Sequence, residues 1–230
     1  MFHVIIYARI SSSRLRKKAL VKLSNNSRLI DQVINQAKKI TSLNKIVLAT
    51  TRNKEDIILC NIAKKHKINY FRGSENNLIK RTYDCCKKFN IKYFLRYCGD
   101  RPIVDIKKIK KCFKDIKTKK KPFDLMTTNY GDTKVDEGFT IEIFNTIFFK
   151  NIIRTKISKD NKEHLGNYIY QNSKQYKIVK IKTSSAFKKG NKYTIDDKYD
   201  LNRMNFIFRY YNNHNIKNVI ALYSKYERFS

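Results

Sequence analysis

Arg14 and Lys18 stand four residues apart, directly after the hydroxyl run Ser11-Ser12-Ser13, which itself follows the apolar stretch Val4-Ile5-Ile6-Tyr7-Ala8 and Arg9. Those residue types suit one anion. Backbone N–H groups at the end of a strand, neighbouring hydroxyls and two cations can all turn onto a phosphate. A solvated basic turn after a strand would have the same composition. A second chemical position follows another apolar run, at Cys98-Gly99-Asp100-Arg101-Pro102. A carboxylate fixed ahead of a chain-breaking proline, at the mouth of a sheet, is the kind of ligand that a hard cation such as Mg²⁺ takes. Asp100 and Asp105 also precede a helical pattern near Ile106 to Ile116, where either could act as an N-cap.

Strands and helices must hold these residues, and the chain alternates them. Leu29, Ile30, Val33, Ile34 and Ala37 recur at helical spacing with Ser27 at the N-cap position, and Lys45 to Thr51 reads as a buried strand. A helix from about Lys54 to His66 follows, with Ile57, Ile58, Ile62 and Ala63 on one side. Asn69-Tyr70-Phe71 makes a short strand before Arg72-Gly73-Ser74-Glu75; Leu78 to Phe89 is helical, and Lys92 to Tyr97 is a strand. This alternation predicts an α/β fold with a mainly parallel sheet. Ligands of such sheets gather beyond the carboxyl ends of the strands, which brings Arg9 to Lys18, Arg72 to Glu75 and Cys98 to Pro102 to one crevice.

Bulk composition narrows the function classes. With 230 residues, 41% hydrophobic, 6 glycines, 2 prolines and no repeat or low-complexity tract, the chain reads as a single globular domain over 1–230. The formal charge of +32 favours anionic partners, yet the lysines are spread along the whole chain and no RNA-binding aromatic motif accompanies them. That pattern is a solvated basic surface and points away from nucleic acid. The five cysteines lack metal-ligand or disulfide spacing and are expected to be reduced. No apolar run approaches the roughly 20 residues of a membrane span, so a cytoplasmic protein is expected.

Taken in order, the motifs resemble those of the cytidylyltransferase family that includes the spore coat polysaccharide biosynthesis and 3-deoxy-manno-octulosonate cytidylyltransferases. The matching residues are Ala8, Arg9, Ser12, Arg14, Leu15 and Lys18; Ala49-Thr50-Thr51; Phe71-Arg72-Gly73-Ser74-Glu75; and Gly99, Asp100 and Pro102. Gly138-Phe139-Thr140-Ile141-Glu142-Ile143-Phe144, Glu163-His164 and Tyr193-Thr194-Ile195-Asp196-Asp197 continue the match through the second half.

The resemblance implies a Rossmann-like, mixed but mainly parallel sheet flanked by helices, of the nucleotide-diphospho-sugar transferase type. It also implies a smaller acceptor or dimerisation lobe at about 131–171, a segment whose apolar and aromatic residues would equally suit ordinary core. The implied reaction transfers CMP from CTP to a small anionic sugar-like acceptor and releases pyrophosphate, in a homodimer. Ala8, Arg9, Ser11, Ser12, Ser13, Arg14 and Lys18 would bind the nucleotide, with Arg14 and Lys18 on the triphosphate and Arg72 and Ser74 near the cytidine. Asp100 and Asp196, the latter on a late strand folding back, would bind Mg²⁺. Glu142 and His164 would touch the acceptor, although a solvated edge-strand charge and a structural histidine are the alternatives.

Several positions depart from the family pattern. Arg16-Lys17 stands where the family has Pro-Gly, Ser11 where it has glycine, Thr140 where it has aspartate, and Leu165-Gly166 where it has Val-Thr. Losing the glycine removes easy access to positive φ beside the phosphate. Both aspartates persist, which suggests an altered acceptor. A sugar-1-phosphate nucleotidylyltransferase would carry a G-x-G-T-R-x-x-P loop, which this chain lacks. A basic nucleic-acid binder or a relative that binds nucleotide without turnover are the remaining alternatives.

Overall fold

A computed structural model describes residues 2–119, 122–130, 135–155, 157–184, 187, 190–210 and 216–229. The first strand, β1 (Phe2–Tyr7), is paired on both sides, in parallel, with β2 (Ile46–Thr51) and β4 (Tyr93–Cys98), and β3 (Asn69–Gly73) lies outside β2. A strand with neighbours on both edges and helices on both faces must be apolar throughout. Val4 and Ile6 accordingly enter one core layer while Ile5 and Tyr7 enter the other. Beyond β4 come β6 (Glu142–Asn145), β5 (Leu125–Thr127) and β7 (Ile178–Lys180), giving the order β3-β2-β1-β4-β6-β5-β7. Within this sheet β6 runs antiparallel to both of its neighbours, and the other pairings are parallel. The α/β sheet expected from the alternation is therefore present, with one reversed strand.

Helices cover both faces. On one side lie α1 (Leu29–Ile40), α2 (Ile57–Lys65), α4 (Ile106–Lys119), α8 (Lys198–Tyr210) and α9 (Ile216–Phe229). On the other lie α3 (Leu78–Lys88), α5 (Thr146–Ile152), and α7 (Asn167–Gln171), with the short α6 (Lys159–Glu163) against α3. Among the described residues no helix is long and apolar enough to cross a membrane. The five cysteines are free thiols, four of them buried.

Two local expectations change. Arg28, not Ser27, precedes α1, and the Ser27 hydroxyl instead donates to Asn25 Oδ1 at 2.7 Å. In α2 the residues Ile57 and Ile58 face solvent, and Leu59, Cys60, Ile62 and Ala63 are the buried side. The cause is the preceding 3-10 turn Lys54–Asp56, which turns Asp56 inward and so rotates the helix that follows. Of the apolar residues expected in a lobe at about 131–171, Phe139, Ile141, Ile143, Phe144, Phe148 and Phe149 are buried in the two core layers, while Ile147 is exposed. Residues 131–134 of that segment lie outside the described residues.

The chain leaves β1 through α1 towards β2, whereas β4 pairs on the opposite edge of β1. The sheet's topological switch point thus lies between the exits of β1 and β4, where a ligand crevice opens in folds of this kind.

Candidate active site

The exits of β1 and β4 touch. Gly99 donates its N–H to the Tyr7 carbonyl at 2.9 Å, and a Cβ on Gly99 would lie 2.9 Å from the Ala8 Cβ and 3.0 Å from the Tyr7 oxygen. Glycine is required by that approach. The loop after β1 is then pinned from β2. The Asp56 carboxylate, almost fully buried, accepts the Ile10 N–H at 2.7 Å and the N–H and hydroxyl of Thr51 at 3.1 and 2.5 Å. Held at that root, Ser11, Ser12 and Ser13 run past the crevice to Arg14. Lys17 takes φ +53°, and the turn Lys18–Leu20 that follows buries Ala19 and sends Lys18 back into the crevice. The backbone therefore keeps, with a lysine, the left-handed position at which the resembled family carries glycine.

Asp196 reaches the same place from far along the chain. Its segment is extended but forms no strand of the sheet; it is carried by two backbone bonds, Tyr193 N–H to the Glu137 carbonyl at 2.7 Å and Ile195 N–H to the Asp100 carbonyl at 3.0 Å. Between the two aspartates sits Lys18, whose Nζ lies 3.1 Å from Asp100 Oδ2 and 2.9 Å from Asp196 Oδ1. Arg14 adds a 2.9 Å contact to Asp196 Oδ1, and Lys192 a 3.1 Å contact to Oδ2. Lys192 is itself held 2.5 Å from Asp200, which also pairs with buried Arg203. Burial opposes the charge of Lys18, but Asp100 and then Asp196 outweigh it and hold the ammonium above its ordinary pKa. Burial likewise opposes the Asp196 carboxylate, and Lys18 and Lys192 hold it below the usual carboxylate range.

Arg14, Lys18, Asp100 and Asp196 line one cavity of about 400 Å³. Of the residues singled out in the sequence, Ala8, Arg9, Ser11, Ser12, Ser13, Arg14, Lys18, Asp100, His164 and Asp196 line it. Arg72, Ser74 and Glu142 do not. The Arg72 guanidinium donates to the carbonyls of Thr51, Arg52 and Asn53 at 3.2, 2.6 and 2.9 Å, so it ties down the exit of β2. Ser74 offers its carbonyl to Arg81. Glu142 is on an internal strand and buried, neither a solvated edge charge nor part of the wall. It pairs with Arg96 at 2.6 Å and accepts from the Tyr170 hydroxyl at 2.9 Å. Burial works against that carboxylate, but Arg96 dominates and lowers its pKa.

Other wall residues were given no role in the sequence analysis. Leu78 and Arg81 come from the first turn of α3. Glu75, from the turn before it, and Glu163, from the end of α6, stood in the matching motifs without a role. Arg81 in a helical pattern looks like any solvated arginine, and only its depth reveals otherwise. Lys192, which is not in the wall but pairs with Asp196 and Asp200, carried no motif at all. Glu75 had a signal, since it closes the Arg72-Gly73-Ser74-Glu75 stretch.

Chemically, the cavity offers loop N–H groups, hydroxyls and cations to a polyphosphate. Asp100 and Asp196 are the hard oxygen donors that could hold a divalent cation. Among the described residues there is no cluster of three or more His, Cys, Asp or Glu, so protein groups alone do not close a metal cage. Two carboxylates completed by water and phosphate oxygens suit Mg²⁺, which keeps several such ligands.

A mainly parallel sheet whose switch point opens on a cation-lined cavity of this size defines a nucleotide-binding α/β protein. The comparisons make this more particular: the cytidylyltransferase family model matches residues 3–229, and the chain belongs to that family. The chain is 30% identical over 193 residues to protein MJ1063 of Methanocaldococcus jannaschii, covering 84% of this chain and 76% of that one. It is 26% identical over 219 residues to the spore coat polysaccharide biosynthesis protein SpsF of Bacillus subtilis, covering 89% and 85%. A cytidylyltransferase structure from Leptospira borgpetersenii superposes with a TM-score of 0.89 at 23% identity, covering 99% of this chain and 95% of that one, a likeness of fold. The protein is a CTP-using nucleotidyltransferase by family.

Proposed function

We propose that the protein transfers CMP from CTP to a small anionic sugar acid or related acceptor, releasing pyrophosphate, in the making of a surface polysaccharide or glycoconjugate. The observation that carries the reading is the meeting of Arg14, Lys18, Asp100 and Asp196 at the switch point. The relationship to SpsF supports the polysaccharide setting. The two carboxylates fit Mg²⁺, which when bound would supply Lewis-acid charge neutralisation at the α-phosphate. Attack there needs the triphosphate aligned and the departing pyrophosphate neutralised. The serine loop holds the triphosphate through N–H groups and hydroxyls. Lys18 and Arg14 face the leaving oxygens, and the raised pKa keeps Lys18 cationic throughout neutral pH. His164 and Glu163 line the same cavity, which supports assigning them to the acceptor.

The test is pyrophosphate release with Mg²⁺, with each of four nucleoside triphosphates set against sugar acids and sugar 1-phosphates. Release only with CTP and a sugar acid is the expected outcome. Release with UTP, GTP or ATP and a sugar 1-phosphate would replace the reading by a sugar-1-phosphate nucleotidylyltransferase.

A further inference from the structure

Asp196 comes to the cavity on a segment outside the sheet, and α8 grips that segment from behind. The buried Asp200 carboxylate, in the first turn of α8, accepts the Asp196 N–H at 2.9 Å through Oδ2, and the same oxygen lies 2.5 Å from the Lys192 ammonium. Its other oxygen takes Arg203 Nη2 at 2.6 Å, and that nitrogen also donates to the Lys192 carbonyl at 2.8 Å. The stretch 192–196 is therefore held at both ends. Lys192 carries the hold to the side chain, through its 3.1 Å contact with Asp196 Oδ2. Arg203 is fixed in turn: its guanidinium lies 5.3 and 4.9 Å from the ring centres of Tyr199 and Tyr223, and its Nη1 is 3.3 Å from Glu227 of α9. Lys192, Asp200 and Arg203 all stand outside the cavity wall.

We propose that Asp200, locked by Arg203, is a positioning residue: it aims the Asp196 carboxylate at Asp100 and so sets how tightly the pair takes a divalent cation. This rests on the CTP and Mg²⁺ reading above. Burying a carboxylate and a guanidinium together returns little stability over an apolar pair of the same volume, so helix packing alone gives no reason for the charges. Their placement gives one. A single acidic oxygen can receive a main-chain N–H and an ammonium at once, and here those two groups fix where Asp196 starts and where its Oδ2 points. Asp100 stands just past the end of β4, whereas Asp196 has no strand beneath it, so the second aspartate is the one that needs a grip. Groups that orient a metal-binding side chain from behind typically change cation affinity by about tenfold to a hundredfold without touching the cation.

The readout is the gain in CTP affinity that Mg²⁺ brings, taken by equilibrium dialysis as the ratio of dissociation constants in EDTA and in Mg²⁺. Cation and nucleotide strengthen each other's binding equally, so this gain reports the cation site without turnover. The wild type, Asp200→Asn and Asp200→Ala are compared, with melting temperatures alongside. Asp200→Ala should lower the gain by about tenfold or more, and CTP affinity in EDTA should stay close to that of the wild type. Asp200→Asn keeps an acceptor for the Asp196 N–H but loses the charge that holds Lys192, and its gain should fall between the two. Should Asp200→Ala fail to fold, the near-isosteric Asp200→Asn decides alone. A residue that merely stabilised the start of α8 would lower the melting temperature and leave the gain as in the wild type. That result overturns the inference, with the cytidylyltransferase reading untouched. Equal loss of CTP affinity in EDTA and in Mg²⁺ puts the grip to work on the nucleotide rather than the cation and also overturns it. A wild type that binds CTP no better with Mg²⁺ overturns the Mg²⁺ reading as well.

Discussion

Ile195 donates its backbone N–H to the carbonyl of Asp100 at 3.0 Å, so the main chain itself sets Asp196 beside Asp100. The two aspartates nonetheless do different work. Among the described residues Asp100 pairs with one cation, Lys18, whereas Asp196 is the shared partner of Arg14, Lys18 and Lys192. Asp100→Asn should therefore abolish pyrophosphate release while the melting temperature stays near that of the wild type. Asp196→Asn should lose release and also about 1–3 kcal/mol of stability, because three cations are left crowded around a neutral amide. Equal stability of the two variants in urea titrations would contradict that division.

Lys18→Met should lower pyrophosphate release by roughly a hundredfold to a thousandfold, the usual loss when one preorganised donor to developing charge is removed. The chain should still fold, since the Ile195–Asp100 bond and the Asp56 clamp on Ile10 do not involve Lys18. Circular dichroism beside steady-state kinetics checks both halves. A variant with normal turnover would remove Lys18 from the triphosphate.

Acid should dissolve the ion-pair cluster and ordinary pH should leave it alone. The Asp196 pKa is lowered in the fold, so its contribution is complete above the usual carboxylate range near pH 4 and fades as pH falls through the lowered value. Lys18, raised in the fold, contributes fully below its ordinary value of 10.5 and loses that contribution as pH climbs through the raised one. The stability gap between wild type and Asp196→Asn should thus be flat from about pH 5 to 9 and shrink below about pH 4. Denaturant melts at four pH values measure it, and a gap that changes between pH 5 and 9 would count against these pairs.

Much of this arrangement is written locally. The apolar runs of β1, β2 and β4, their breaks into Ser11-Ser12-Ser13 and Gly99-Asp100, and the helical spacing of α1 and α3 are all visible in short windows of sequence. What stayed hidden depends on distant residues. The burial of Glu142 follows from β6 being inserted between β4 and β5, which no window around Glu142 contains. Arg72 turns away from the cavity because three carbonyls at the end of β2 capture it. Lys192 matters only through Asp196 and Asp200, neither of which marks it in advance.

Lys17→Gly should stabilise the loop. A lysine at φ +53° bears a left-handed penalty of about 1–2 kcal/mol, and glycine removes it at an entropic cost of roughly 0.5–1 kcal/mol. The net gain should raise the melting temperature by about 1–4 °C in a chain of this size. Lys17→Val, which must force a β-branched side chain into the same conformation, should lower it. A Gly variant that melts below the wild type would mean that Lys17 holds the loop by its charge instead.

Glu142 and Arg96 should behave as one unit. Their 2.6 Å pair lies between β4 and β6, and the Tyr170 hydroxyl on Glu142, itself bonded to the Thr127 hydroxyl at 3.1 Å, ties α7 and β5 into it. Removing one member leaves the other charge in the protein interior, which typically costs about 3–5 kcal/mol, whereas an apolar pair of similar volume is often neutral. Glu142→Leu and Arg96→Met should each lower stability severely. The double variant should recover a large share of that loss, giving a coupling well outside additivity in a urea-denaturation cycle. Additive losses would mean that each residue acts through separate contacts, and the sheet would then owe its β4–β6 junction to the stacked rings of Phe94 and Phe144, 5.5 Å apart, rather than to charge.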